Sequence, residues 1–257
     1  MLLRNKLRFI IFLIVLSAPV LVLAQQGDTL RVLFVGNSFT YYWNLPQVVQ
    51  AMATSQGKPI LTRQSTAGGA SLEEHWKGAK GLKTKALIEA GGWDYVVLQD
   101  HSQRPIDAPE SFMEYGKKFG ALARTHGAEP LYFTTWAYAS NPLMQPALTE
   151  GYAGLAGAMQ ANLIPVGPLW ALVRQARPDL DLFFDDKHPT AVGTYLTGLA
   201  FFKKMSGLPV GKIPDRITTT DNSGELTYLL FVLPEDGDFL RQVVEAFDLG
   251  KTVEWRD

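Results

Sequence analysis

A serine and an aspartate–histidine pair could together perform nucleophilic catalysis in this chain. Ser38 directly follows an apolar run in the segment RVLFVGNSFTYYWN (31–44), and Asp185 precedes His188 by three residues in DLFFDDKHPTAVG (181–193). At that spacing one turn can present both side chains, so that the carboxylate holds the imidazole Nδ1–H and leaves Nε2 facing a nucleophile. These residues predict serine-hydrolase chemistry, with Ser38 as nucleophile, His188 as base and Asp185 orienting the base.

Three other interpretations of these residues stay open. Ser38 could do no more than cap a helix, and Asp185 could be a solvated loop acid near a helix-capping histidine. A metal site built from Asp185, Asp186 and His188 is the third, but no other cluster of ligating residues in the sequence supports it. We therefore predict no metal site and no cofactor.

The elements that would position these residues alternate along the chain. Short apolar runs rich in β-branched or aromatic residues predict strands at 30–36, 59–65, 94–99, 130–135 and 162–167, and helical patterns fall at 45–56, 71–90, 108–126, 145–161 and 190–204. Runs of this kind are typical of strands buried on both faces. Five strands separated by helices predict an α/β fold, a doubly wound three-layer domain with a parallel sheet of about five strands.

Polar and small residues follow the end of each predicted strand. In open parallel sheets, ligands bind at the carboxyl ends of the strands, so these residues are expected to converge on one edge. Besides the segment 36–38, they comprise 66–71 after the second strand, 99–103 after the third and 134–136 after the fourth. His101 belongs to this group, whereas His75 and His126 lie within or at the end of helical patterns and are predicted to be structural.

Four short motifs resemble the sequence blocks of the SGNH (GDSL-type) hydrolases. They are VGNSF, GGASL, LQDHSQ and DDKHP, in family order and at family spacing over about residues 31–195. The first motif is most similar to a secreted bacterial branch that carries G-N-S-F-T in place of G-D-S-L. The resemblance implies a flavodoxin-like α/β/α domain with Ser38, His188 and Asp185 in the roles given above. It also implies an oxyanion hole made by the Ser38 backbone N–H, a glycine N–H from the second motif and a side-chain amide from the third.

The sequence departs from the family most in the third motif. The asparagine of the family's G-x-N-D block is absent, and two glutamines compete to replace it. Ungapped counting from the strand puts Gln103 in its place, while Gln99 lies at the strand end itself; we favour Gln103 narrowly. In the second motif Gly69 is the better match for the oxyanion glycine, because Ser71 then falls where the family often has threonine, but Gly68 remains open.

The aromatic residues near these motifs have two interpretations. They could pack the loops over the sheet, or they could form a stacking wall for a sugar ring or an apolar slot for an acyl chain. For the second interpretation we predict that the substrate is lined by five residues: Asn37, Gly68, His101, Trp43 and Trp136. Asn37 stands where the family usually has aspartate, a change expected to alter loop hydrogen bonding rather than chemistry.

The amino-acid composition limits which other classes of protein and site are possible. The 257 residues are 47% hydrophobic and 19% charged, which is typical of a globular domain, and they include no cysteine, so disulfides, thiolate nucleophiles and Cys-ligated zinc are excluded. The formal net charge is −1, which gives no electrostatic reason to expect nucleic acid. Residues 25–257 are assigned to one hydrolase-like domain, in which 208–257, with a helix expected at 236–248, could form a small C-terminal extension.

The first 24 residues have the pattern of a signal peptide. Arg4, Lys6 and Arg8 precede an apolar stretch, and Val22 and Ala24 supply small residues before a cut after Ala24. Removal of this segment takes away three cations and no anions, which changes the formal net charge from −1 to −4. The protein is therefore predicted to be secreted or periplasmic, with no membrane association after cleavage.

The combined prediction is a serine esterase that removes acetyl or other short acyl groups from carbohydrate. Its partner would be a small-molecule or polysaccharide ester. The alternatives are a lipid esterase or thioesterase, and a catalytically weak extracellular glycan-binding domain on the same fold.

Overall fold

A computed structural model describes residues 29–250 and residue 253 of the chain. The predicted signal peptide, residues 1–24, lies outside the described residues. Between residues 29 and 250 no helix is long and apolar enough to cross a membrane.

The centre of the molecule is a parallel sheet of five strands, whose three central strands are almost wholly buried. Its strands are β1 (Leu30–Gly36), β2 (Ile60–Thr66), β3 (Tyr95–Leu98), β4 (Glu129–Phe133) and β5 (Asn162–Ile164). The spatial order is β2-β1-β3-β4-β5, and all neighbours pair in parallel. The predicted doubly wound sheet of five parallel strands is confirmed.

Helices cover both faces of this sheet. They are α1 (Ser38–Tyr41), α2 (Leu45–Ser55), α3 (Leu72–Lys77), α4 (Thr84–Glu89), α5 (Arg104–Asp107), α6 (Pro109–Thr125), α7 (Gln145–Met159), α8 (Val166–Ala176), α9 (Ala191–Ser206) and α10 (Pro234–Ala246). Successive side chains of a strand point to opposite faces. Accordingly, Val32 and Phe34 of β1 belong to the core beneath α2, α8 and α9, while Leu33 and Val35 belong to the core beneath α3, α6 and α7. The predicted three-layer α/β/α architecture is confirmed.

Two predicted elements differ from the structure. The single helix expected at 71–90 is broken into α3 and α4, because Gly78 adopts the left-handed conformation (φ 69°) that ends α3. The fifth strand ends at Ile164 rather than 167, and α8, which the sequence analysis missed, begins at Val166 immediately after Pro165.

The described C-terminal residues add a hairpin and a helix to one face. Strands β6 (Arg216–Thr220) and β7 (Leu226–Phe231) pair antiparallel, and α10 packs against α9. Leu230 of the hairpin and Leu240 of α10 are buried in the same core as Phe34 of β1. These elements therefore share the hydrophobic core of the α/β domain.

Candidate active site

The candidate nucleophile lies at the first turn after β1. Asn37 caps α1, its Oδ1 accepting the Phe39 N–H at 3.1 Å, so Ser38 is the first helical residue. Residue 36, at the end of β1, must be glycine, because a Cβ at this position would lie 2.3 Å from Gln99 Oε1. The tight turn places Ser38 at the carboxyl edge of the sheet, as the strand-end argument predicts.

Ser38, His188 and Asp185 form a continuous chain of hydrogen bonds. Ser38 Oγ lies 2.9 Å from His188 Nε2, and His188 Nδ1 lies 2.7 Å from Asp185 Oδ2. The carboxylate can only accept, so it fixes the proton on Nδ1 and leaves Nε2 to accept the Ser38 proton. The structure thus brings together the three residues that the sequence assigned to nucleophile, base and orienting acid.

Backbone groups hold the Asp185 carboxylate in its ionised form. Its second oxygen, Oδ1, accepts the backbone N–H groups of Lys187 at 2.8 Å and His188 at 2.7 Å. Burial alone would raise the pKa of Asp185, but the His188 side chain and these two N–H groups outweigh it and lower the pKa to about 2. The side chain therefore remains an anion at any pH at which the protein would work.

Asp186 takes no part in this arrangement. Its two oxygens accept the backbone N–H of Ser140 at 2.7 Å and the Ser140 hydroxyl at 2.9 Å. In the described part of the chain no group of three or more His, Asp or Glu side chains is arranged to hold a metal ion. The turn instead uses Asp186 to attach the His188 loop to the loop after β4.

Two indole N–H groups hold the backbone on either side of His188. Trp136 Nε1 donates to the Lys187 carbonyl at 2.8 Å, and Trp43 Nε1 donates to the Pro189 carbonyl at 3.2 Å. Trp43 does so from a left-handed backbone conformation (φ 49°), which is unusual for a bulky residue. The two indoles therefore fix the catalytic loop at the residues before and after the base.

Aromatic rings also pack directly on the imidazole. The Tyr42 ring stacks on the His188 ring with centroids 4.3 Å apart and an interplanar angle of 7°, and Phe39 meets it edge-on at 6.1 Å. Stacked and edge-on contacts of this kind restrict ring rotation. Tyr42 thus holds the plane of the base, a role that its position four residues after Ser38 did not reveal.

The triad opens into a cleft of about 300 Å³. Its lining residues are Asn37, Ser38, Phe39, Tyr41, Tyr42, Gly68, Gly69, His101, Ser102, Lys187 and His188. The predicted substrate-lining residues Asn37, Gly68 and His101 are among them. Trp43 and Trp136 are not: Trp136 is 1% exposed and stacks between Phe39 and Trp170, while Trp43, 45% exposed, donates its indole N–H to the His188 loop.

Neither glutamine proposed as an oxyanion donor faces this cleft. Gln99 is fully buried; its Oε1 accepts the Asn37 N–H at 3.0 Å and the Thr40 hydroxyl at 2.9 Å, and its Nε2 donates to the Asp100 carbonyl. Gln103 is half-buried at the start of α5 and is not part of the lining. Both amides are therefore placed away from Ser38, Gln99 because it ties the loops after β1 and β3 together.

His101 and Ser102 occupy the place expected for a glutamine. Strand β3 ends at Leu98, one residue earlier than predicted, so the loop reaches the cleft two residues sooner than counting to Gln103 implied. Within residues 29–250 no side chain hydrogen-bonds to the His101 ring, which is half-buried. Burial, with Arg104 and Lys187 adding to it, lowers the pKa of His101. The sequence analysis placed the end of β3 one residue too late and therefore did not identify His101 as a possible donor.

Two other buried titratable groups support the loops and respond to pH in opposite directions. His75 donates Nε2–H to the Gly36 carbonyl at 2.9 Å, and burial lowers its pKa to about 4. Asp100 Oδ1 accepts the Leu72 and His101 backbone N–H groups, and burial raises its pKa to about 6. His75 is therefore a neutral structural histidine, in the role that the sequence predicted.

Several solved structures share this architecture. A DUF4886 family protein from Bacteroides uniformis has 17% identity over 85% of this chain and 94% of its own, with a TM-score of 0.66. A candidate SGNH hydrolase from Slackia heliotrinireducens has 26% identity over 68% of this chain and 98% of its own, with a TM-score of 0.57. An acetyl-xylooligosaccharide esterase variant from Geobacillus has 13% identity over 69% and 94%, with a TM-score of 0.52. No protein-family model and no curated protein matches the chain.

The fold is that of the SGNH hydrolase superfamily. The sheet order, the helices on both faces and the match to nearly the full length of the Slackia protein agree on this class. Other structures on the same fold are named as a G-D-S-L family lipolytic protein and an acetyl-xylooligosaccharide esterase.

Proposed function

We propose that the protein is a serine esterase that removes acetyl or other short acyl groups from carbohydrate outside the cytoplasm. The observation that carries this proposal is the unbroken Ser38–His188–Asp185 chain, with distances of 2.9 and 2.7 Å. A binding module has no need of a hydroxyl aligned with a base and an ionised acid, so this geometry favours the enzyme over a glycan-binding domain. The proposed location outside the cytoplasm rests on the N-terminal sequence pattern.

The reaction follows from the proton positions. His188 Nε2 takes the proton from Ser38 Oγ as the oxygen attacks the ester carbonyl, and Asp185 stabilises the resulting imidazolium. The imidazolium then returns the proton to the departing alcohol, which leaves an acyl group on Ser38. Water deprotonated by the same histidine hydrolyses that acyl-enzyme and restores the serine.

The negative charge that develops on the carbonyl oxygen needs donors in the cleft. The Ser38 backbone N–H, at the first position of α1, has no acceptor among the described residues, and Gly69 holds the left-handed conformation (φ 61°) at the cleft wall. We assign the third donor to His101, because it faces the cleft and its lowered pKa keeps the imidazole neutral with one N–H to donate.

The size of the cleft supports a short acyl group. A volume of about 300 Å³ is at the small end for ligand sites, and its lining includes Ser38, His188 and the proposed oxyanion donors themselves. The acetyl-xylooligosaccharide esterase from Geobacillus, on the same fold, is named for such a reaction. A series of 4-nitrophenyl esters of increasing acyl length is expected to give the highest kcat/KM at acetate, and a maximum at long chains would favour a lipid esterase.

The direct test of the proposal is hydrolysis of 4-nitrophenyl acetate by the wild type and four variants. Ser38→Ala and His188→Ala are each expected to lose most turnover, and the double variant no more than either, because nucleophile and base act as one unit. Asp185→Asn is expected to lose less, since the base survives. Circular dichroism checks that each variant is folded. Wild-type rates in folded Ser38→Ala would exclude the serine mechanism.

A further inference from the structure

The cleft carries an unpaired positive charge beside the catalytic base. Lys187 is the one lysine, arginine or carboxylate residue in the cleft lining, which otherwise consists of neutral polar groups, aromatics and two histidines. No carboxylate in the described part of the chain lies within salt-bridge distance of its ammonium group. A single uncompensated cation in a site is an attractive position for an anionic part of the substrate.

The two nearest acids in the sequence are occupied elsewhere. Asp185 binds the His188 ring and two backbone N–H groups, and Asp186 binds Ser140. Neither can neutralise Lys187 without giving up those contacts. The turn therefore presents a lysine directly after two acids whose carboxylates are bound to other groups.

The backbone of Lys187 is held in place at both ends of the residue. Its N–H donates to Asp185 Oδ1 at 2.8 Å, and its carbonyl accepts the Trp136 indole N–H at 2.8 Å. The ammonium group lies 5.8 Å from the centre of the Tyr138 ring, and the Tyr138 hydroxyl is 2.7 Å from Ser102 Oγ, which lines the cleft. The side chain thus starts from a fixed point next to the base and extends along the Ser102 side of the cleft.

The positive charge acts inside the cleft although the protein as a whole is acidic. The formal net charge of the full chain is −1. Lys187 nevertheless contributes to the lowered pKa of His101, after burial and Arg104, which places its field at another residue of the cleft lining. Outside the lining, Lys80 donates to the carbonyl of the lining residue Gly68 at 3.0 Å, although Glu74 partly compensates its charge.

We infer that Lys187 binds a carboxylate on the ester substrate, close to the scissile bond. The inference rests on the proposed esterase function and narrows its substrate class to anionic esters. The carboxylate has two chemical sources: an acidic sugar that carries the acyl group, or the acyl group itself in a dicarboxylic half-ester. Both would place an anion a few ångströms from the reacting carbonyl.

The test compares each acid with its neutral carboxamide. One pair is acetylated methyl glucuronide with a free carboxylate and the same compound as its amide; the other is monoethyl succinate and ethyl succinamate. The wild type is expected to prefer the carboxylate of at least one pair by about 2- to 5-fold in kcat/KM, the effect of a partly exposed ion pair. The pair that shows the preference identifies the source. The preference is expected to shrink between 0.01 and 1 M salt, as screening shortens the range of the interaction.

Variants of Lys187 connect that preference to this residue. Lys187→Arg is expected to keep the acid-to-amide ratio, Lys187→Met to bring it to about one, and Lys187→Glu to reverse it. Lys117→Glu, an exposed charge change of the same size on α6, is the control and is expected to leave the ratio unchanged. A wild-type ratio of one in both pairs, or a ratio unaffected by Lys187→Glu, would overturn the inference. Absence of hydrolysis of all four compounds and of 4-nitrophenyl acetate would instead overturn the proposed esterase function.

Discussion

Trp136 offers a way to separate support of the catalytic loop from support of the fold. Trp136 and Trp170 stack face to face, with centroids 4.0 Å apart and an interplanar angle of 5°, and both are buried. Their N–H groups differ: Trp136 donates to the Lys187 carbonyl at 2.8 Å, whereas Trp170 donates to Thr197 Oγ1 at 3.1 Å inside α9. Trp136→Phe and Trp170→Phe therefore remove the same atoms from one stack, but only the first releases the residue before His188.

The magnitudes follow from what each substitution removes. Loss of one hydrogen bond and part of a buried indole is expected to cost each variant about 1–3 kcal/mol of unfolding free energy. For a chain of this size, each kcal/mol lowers Tm by about 2–4 °C. If the Lys187 hydrogen bond, worth about 0.5–1.5 kcal/mol, is used to order the loop, Trp136→Phe loses about 2- to 12-fold in kcat.

The assay measures kcat and KM on 4-nitrophenyl acetate together with the thermal unfolding midpoint. We expect similar decreases in Tm for the two variants, a decrease in kcat for Trp136→Phe with little change in KM, and a kcat within about 2-fold of wild type for Trp170→Phe. Equal kcat losses would show that the stack acts only through stability. An unchanged kcat in a destabilised Trp136→Phe would refute the role of the indole N–H.

Two further predictions concern the loop after β3. His101→Ala is expected to lower kcat by about 10²- to 10³-fold, with partial recovery in His101→Asn. Gln103→Ala is expected to keep kcat within several-fold of wild type. A large loss in Gln103→Ala and a small one in His101→Ala would instead identify Gln103 as the donor. Between pH 6.5 and 4 the unfolded chain protonates His75 before the folded protein does, which removes about 3 kcal/mol of stability, while Asp100, with a raised folded pKa, restores a similar amount. Asp100→Asn is therefore expected to lose about 3 kcal/mol more stability than wild type when the pH falls from 6.5 to 4 in denaturant titrations, and parallel pH profiles would contradict this.

The fold was predictable because its signals are local. Strands buried on both faces must consist almost entirely of apolar residues; β3 shows this over its whole length, and β1 shows it at every position except the exposed Arg31. The triad was predictable for a similar reason, since Asp185 and His188 share one turn and Ser38 directly follows a strand. Ser38 and His188 are 150 residues apart in the sequence. Their proximity was still predictable, because ligand-binding residues of an open parallel sheet gather at the carboxyl ends of its strands.

The remaining parts of the site depend on contacts that no local pattern contains. The orientation of 99–103 is set by Asp100, which accepts backbone N–H groups from Leu72 and His101, so the side chain that faces the cleft could not be counted from the strand. The roles of the aromatic residues also depend on contacts between residues far apart in the sequence. Trp43 was expected to contact substrate, but its acceptor is the carbonyl of Pro189, 146 residues away, and composition alone does not distinguish a sugar platform from a loop clamp.

The Asn37 departure from the family pattern can be explained by donor count. Its Nδ2 donates to the carbonyls of Ala70 at 3.0 Å and Asp100 at 3.4 Å, while its Oδ1 accepts the Phe39 N–H. An ionised aspartate could cap α1 in the same way but has no proton for either carbonyl. In this chain the amide joins the loops after β1, β2 and β3 around Ser38, and Gln99 repeats the connection from the opposite side by accepting the Asn37 N–H and donating to Asp100. Asparagine at this position therefore belongs to a hydrogen-bond network around Ser38, which agrees with the expectation that the change alters loop hydrogen bonding rather than chemistry.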